Sequence, residues 1–130
     1  MKLFIFLVAF VMLVGCASSP IDRIEAADTV PSARLYGFAK KSDAHLIILH
    51  DSSIAGVSCP IRVLIDGKPA ADINVGEVAH FGITIGSHSL TALPLEGCPK
   101  FPMQKINIAV KAGDALIKRI DTAGINSFEL

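Results

Sequence analysis

The stretch Val63–Ala92, VLIDGKPAADINVGEVAHFGITIGSHSLTA, decides how the chain folds. Val63 to Ile65 is apolar and mostly β-branched, and Asp66-Gly67 follows directly. Asp-Gly between apolar runs marks a tight hairpin, because a type I′ turn needs positive φ at both central positions. Lys68 to Ile73 returns, and Pro69, which has no N–H to give a ladder, puts that run at a sheet edge or a strand start. Further on, Val78 to Thr84 and Ser87 to Leu93 flank Ile85-Gly86. With a two-residue loop there, Ala79, Phe81 and Ile83 share a face with His88, Leu90 and Ala92. The other face then carries His80, Gly82 and Thr84 with Ser87, Ser89 and Thr91. One face is mainly apolar and the other small and polar, and a slip of one residue would mix them.

Outward from this stretch the same punctuation continues. Leu35 to Ala39 reads as a first strand, and His45 to His50 has the continuous apolar centre of a central one. Lys105 to Val110 alternates, with Ile106, Ile108 and Val110 on one side. Ala112-Gly113-Asp114 makes a turn, Ala115 to Ile120 is its partner strand, and Ser127 to Leu130 closes an edge. Short strands at this spacing predict an all-β fold, a small antiparallel β-sandwich of about seven or eight strands, over residues 34–130.

The amino terminus has a different character. MKLFIFLVAFVMLVGC holds one charge, Lys2, then an unbroken apolar run from Leu3 to Val14. That run is a secretory h-region, shorter than the roughly 20 residues of a spanning helix. Its end resembles the bacterial lipoprotein signal, with Leu13, Gly15 and Cys16 at the matching positions. The resemblance implies a signal peptide at residues 1–15 and a lipid on the Cys16 sulfur, enough acyl chain for stable membrane anchoring. Ala17 after the cysteine implies an outer-membrane destination, with the domain facing the periplasm. Residues 16–33, rich in small residues and holding two prolines, then form a tether.

Of three cysteines, Cys59 and Cys98 remain, each followed by proline. In an oxidising compartment such a pair is expected to oxidise, and proline pushes its predecessor toward extended backbone. A bridge closing a loop of about 40 residues stabilises by roughly 4 kcal/mol in the chain-entropy model. Twelve basic and twelve acidic residues leave no net charge, so nucleic acid is not an expected partner. With no Trp and one Tyr, Tyr36, a stacking platform is poorly supplied.

The central stretch also looks like PEGA-type domains and an uncharacterised domain family of small bacterial lipoproteins. The shared parts are the Asp66-Gly67 turn, Gly76 before a strand, Gly86 in a turn with His88 two residues on, and KAGDALIKRI. The chain departs in using Ile85-Gly86 where Pro-Gly is usual and in its two Cys-Pro steps. The resemblance implies a β-sandwich of the cell envelope with no catalytic residues.

Chemistry is sparse. In the expected register His80 and His88 point to opposite faces, and so do His45 and His50, so a metal site would have to mix histidines across strands. No metal or cofactor is therefore expected. HDSS at His50 to Ser53 has the residue types of a nucleophile triad, but a triad is assembled by tertiary contact, and a turn is the simpler account. His80, Thr84, Ser87, Ser89 and Thr91 form either a binding face or the solvated side of an ordinary sheet. The chain is thus expected to be a lipid-anchored binding or structural module, not an enzyme, with a second envelope protein or peptidoglycan as partner. The alternative is a periplasmic hydrolase inhibitor that presents the loops Asp51 to Ser58 and Leu95 to Pro102 beside the bridge.

Overall fold

Alternation of apolar and polar residues sets which side of each strand is buried, and two sheets bury those sides against each other. The structure, a computed structural model, describes residues 27–51, 59–95, 103–121 and 124–127. Among them are nine strands: β1 Asp28–Thr29, β2 Ala44–His50, β3 Ile61–Ile65, β4 Lys68–Ile73, β5 Glu77–Ile83, β6 Gly86–Pro94, β7 Gln104–Val110, β8 Ala115–Asp121 and β9 Gly124–Ser127. One sheet has the order β1-β5-β2-β8-β9 and the other β4-β3-β6-β7. The all-β sandwich expected from the sequence is present, and two pairs within the first sheet, β1–β5 and β2–β8, run parallel. Leu46, Ile48 and Phe81 from the first sheet meet Ile61, Val63 and Leu90 from the second in a core sealed from solvent.

The Asp66-Gly67 turn is as its residues demand, with φ of 52° and 76°. Asp is among the few non-glycine residues that visit this region, and here its carboxylate is held across to β6 by the Ser89 N–H at 2.9 Å. Pro69 lies on β4, an edge strand.

The run from Val78 to Leu93 is not a hairpin. β5 and β6 belong to different sheets, and the chain crosses the sandwich at Thr84-Ile85. Ala79, Phe81 and Ile83 do face the same core as Leu90 and Ala92, but from the opposite side. A period of two records which face is buried and not whether the partner lies beside or across. The same correction applies to β7 and β8. The Ala112-Gly113-Asp114 turn carries the chain from one sheet to the other, where β8 pairs in parallel with β2.

The domain also begins earlier than residue 34. Val30 is 2% exposed and belongs to the core, the Asp28 N–H donates to the Gly76 carbonyl, and the Val30 N–H donates to the Val78 carbonyl. Residues 28–33 are thus part of the folded unit rather than tether; residues 16–26 and the signal lie outside the described residues. Leu35 to Ala39 is not a strand. Leu35 makes one isolated bridge to Ala71, and Phe38 turns out of extended geometry with φ of 61°. The closing strand is Gly124–Ser127, displaced toward the amino terminus from Ser127 to Leu130, whose last three residues fall outside the described set.

Residues 28–38 act as a strap along the open side of the sandwich, where β5 and β4 would otherwise be bare edges. The Tyr36 N–H donates to the Ala70 carbonyl of β4 at 2.8 Å, and the Gly82 N–H of β5 donates to the Phe38 carbonyl at 2.7 Å. Arg34, from a short 3-10 helix over Ser32–Arg34, grips both sheets. It donates in a fork to Glu77 of β5 at 2.6 and 2.7 Å, and to the Asp72 carbonyl of β4 at 3.2 Å. Burial of Asp72 is compensated by two bonds from Arg62, at 2.8 and 3.0 Å, and one from Tyr36 at 2.6 Å.

The sandwich has two ends. The basal end gathers the chain entry at Asp28, the ends of β2, β4 and β6, and the start of β3 and β5. The apical end gathers Ala44, Gly82 and Ala115 with the Asp66-Gly67 and Ala112-Gly113 turns.

Gly82 is where the strap crosses β5 most closely. A Cβ there would lie 2.0 Å from the Lys40 carbonyl oxygen and 2.9 Å from the Ser42 nitrogen, both backbone atoms. Gly82→Ala is expected to destabilise by about 3 kcal/mol or more, the upper range for overpacking, because backbone must move. Urea denaturation checks this; an unchanged midpoint would mean that the strap does not hold this course in solution.

Candidate functional site

Past Phe38 the strap turns over Gly82 and enters β2, and that turn forms one wall of a cleft. The cleft has a volume of about 360 Å³ and is lined by Ala39, Lys41, Ser42, Asp43, Ala44, His45, His80, Phe81, Gly82, Gly113 and Asp114. Four stretches build it: the strap, the start of β2, the end of β5 and the turn before β8. Gly82, the register partner of His45, has no Cβ and so admits the Lys40–Ser42 backbone that forms the wall.

His45 and His80 meet in this cleft. They lie on adjacent antiparallel strands, with His45 opposite Gly82 and His80 opposite Ile47, so they are diagonal neighbours on the outer face. Their ring centroids are 5.4 Å apart with planes inclined by 60°. His80 Nδ1 is 3.3 Å from His45 Nε2. Burial, and then the neighbouring His45, hold the His80 imidazole below its ordinary value. Sequence spacing alone could not bring these two together, because they are separated by 35 positions. The alternation was legible, and the register between β2 and β5 was not.

The two carboxylates in the cleft also serve turns. Asp43 accepts from the Ile85 N–H at 3.4 Å, and Asp114 accepts from the Lys111 N–H at 2.8 Å. Among the described residues no three or more His, Cys, Asp or Glu side chains are grouped as a metal cage would need.

The face expected from the sequence is divided. His80 lies on the outer side of the first sheet, while Ser87, Ser89 and Thr91 are on β6 in the second. Opposite them in register are Ala109, Asn107 and Lys105 of β7. Thr84 sits in the crossover between the two sheets, where its hydroxyl is 3.3 Å from His88 Nε2. These five residues do not make one surface.

His88 is a rim histidine with both ring nitrogens engaged. Nδ1 donates to Asp66 at 2.6 Å and Nε2 to the Thr84 carbonyl at 2.7 Å. Two donors mean imidazolium, and the Asp66 hydrogen bond raises the His88 pKa accordingly. Reciprocally, His88 lowers the Asp66 carboxyl below its usual value. His50 is buried, with Nδ1 3.1 Å from the Ile73 carbonyl, and burial lowers its pKa. Asp51 is buried beside Arg119, whose Nη1 is 3.6 Å from its carboxylate. His50 and Asp51 are thus structural on the described side of HDSS, and Ser52 and Ser53 lie outside the described residues.

Cys59 is half-buried at the basal end, and the Leu95 N–H donates to the neighbouring Pro60 carbonyl at 3.1 Å. Cys98, like Cys16, lies outside the described residues, as do residues 52–58 and 96–102 of the two expected loops. Searches against protein-family models, curated proteins and solved structures give no match to this chain.

The His88–Asp66 bridge makes stability pH-dependent with a definite sign. The raised His88 pKa gives stabilisation that is complete below its unfolded value, about 6.5, and lost as pH rises through the folded value. The lowered Asp66 pKa gives stabilisation present above its unfolded value, about 3.9, and lost as pH falls through the folded one. The bridge therefore contributes most between about pH 4 and 6.5. The depressed His50 and His80 pKa values act oppositely, since both groups gain protons on unfolding. His88→Gln should lose more stability at pH 5.5 than at pH 8.5, measured by urea denaturation against the parent chain. An equal loss at both would remove the ionic character from this contact.

Proposed function

We propose that the chain is a lipid-anchored cell-envelope module that binds through its apical cleft, held by Cys16 at the periplasmic face of an outer membrane. The observation carrying this reading is polarity of the fold. The chain enters beside Gly76 and Glu77, at one end of β5, and the cleft lies beside Gly82, at the other. Five residues of strand separate them, about 17 Å. A domain tethered through its entry point would hold the cleft away from the membrane, toward a second envelope protein or peptidoglycan.

The same reading joins Cys59 to Cys98. Cys59 is not a free thiol, and the Leu95–Pro60 hydrogen bond starts the segment leading to Cys98 beside it. The inhibitor alternative is less well served. Its two loops depart from Asp51 and Leu95, both basal, on the side where the tether enters. No reaction is proposed, because the carboxylates Asp66, Asp72, Glu77 and Asp114 each hold a turn or a strand pair.

Two measurements test this. In a diderm bacterium, the membrane fraction should yield a diacylated peptide beginning at Cys16, and Cys16→Ala should release the protein; an intact, unlipidated chain in the cytoplasm would sink the anchor. Photocrosslinkers at the apical Lys41 or Lys111 should give a discrete adduct in intact cells, and crosslinkers at the basal Pro60 or Leu95 should not. Adducts to one hydrolase from the basal positions alone would establish inhibition instead.

A further inference from the structure

We propose that His45 and His80 form a two-histidine zinc site at the mouth of the apical cleft, with His45 Nε2 and His80 Nδ1 as the ligating atoms. The geometry carries this. Zinc takes imidazole nitrogen at 2.0–2.1 Å, so two nitrogens along one edge of a tetrahedron stand about 3.3–3.4 Å apart. The two nitrogens here are 3.3 Å apart. At that separation the pair makes a long hydrogen bond in the metal-free chain, with one nitrogen keeping its proton. A square-planar ion would draw its two nitrogens to about 2.9 Å, so the spacing suits tetrahedral zinc better.

Electrostatics and access agree with the spacing. Both rings are exposed, and the cleft in front of them has the volume for an ion with its waters. Asp43 and Asp114 line the same cleft and offset the charge of Lys41, while their own hydrogen bonds keep them with their turns. Two protein ligands are fewer than the three of a catalytic zinc or the four of a structural one. The remaining positions are left for water or for a donor atom from a partner. The site is therefore a point at which a carboxylate or imidazole on a second molecule can be held through the metal. It gives chemistry to the cleft of the proposed module but does not depend on the lipid anchor.

The test is titration of the full chain, in detergent and without a polyhistidine tag, with zinc chloride near pH 7.5 in a calorimeter. One zinc per chain is expected. His45→Gln and His80→Gln should each weaken binding by more than about tenfold, since even loss of a group that only orients a ligand costs that much. His88→Gln should not, since both His88 nitrogens are already engaged. Circular dichroism and the urea midpoint establish that the exposed-site variants remain folded. Shifts of the His45 and His80 ring resonances on adding zinc to the parent chain give a second readout. Absence of binding in the parent chain overturns the proposal. So does binding that survives both substitutions, which would place the metal on the cysteines or the termini. Either result leaves the envelope-module reading to its own crosslinking test.

Discussion

A sandwich with open edges needs its backbone hydrogen bonds completed, and here the segment from Asp28 to Phe38 completes them on one side. β4 and β5 are consecutive, but they lie in different sheets and end the strand order of one and approach the end of the other. The strap supplies an acceptor to Gly82, a donor to Ala70, and a short parallel strand to Glu77 and Val78. An uncovered edge would be a template for pairing with another chain. Arg34 adds a tie between the sheets that hydrophobic burial cannot give, because its fork fixes the distance of Glu77 from the backbone of β4.

The cleft follows from this arrangement. The chain has to pass from the strap into β2, and the close crossing over Gly82 is the turn by which it does so. That turn raises a wall beside the outer face of β2 and β5, and the face becomes concave where His45 and His80 stand. The charged residues elsewhere hold structure: Asp72 ties Arg62 and Tyr36, Glu77 ties Arg34 and Asn74, and Asp66 ties His88 and Ser89. Each of these carboxylates has its pKa lowered mainly by its principal hydrogen-bonding partner. Groups committed in this way are poorly available to a ligand, whereas the histidine pair faces open space.

The candidate site was only partly legible beforehand. Local alternation groups His80 with Thr84 and with Ser87, Ser89 and Thr91 of β6, the next strand along the chain. The neighbour of His80 is on β2, from a segment read separately. The error and the omission have one cause. Thr84-Ile85 has the length of a hairpin loop, but the chain crosses there to the opposite sheet, and no local pattern distinguishes the two outcomes. His88, by contrast, lies on the same face of β6 as Leu90 and Ala92, as the sequence predicts, because that depends only on alternation. Its partnership with Asp66 brings together two apical turns distant in sequence.

Local pattern in the chain is enough for the class of fold, the β3–β4 hairpin and the buried side of β5, β6 and β7. These are local matters: Asp-Gly sets a turn through the φ values its residues tolerate, and alternation sets a face through the pleat. Tertiary structure alone decided which strands are neighbours, where the domain begins and which polar side chains converge. Val30 reads as one apolar residue among small and charged ones until the gap it fills between two sheets exists. His45 and His80 become a pair only when β2 and β5 align, since register across 35 positions depends on the packing of the whole core.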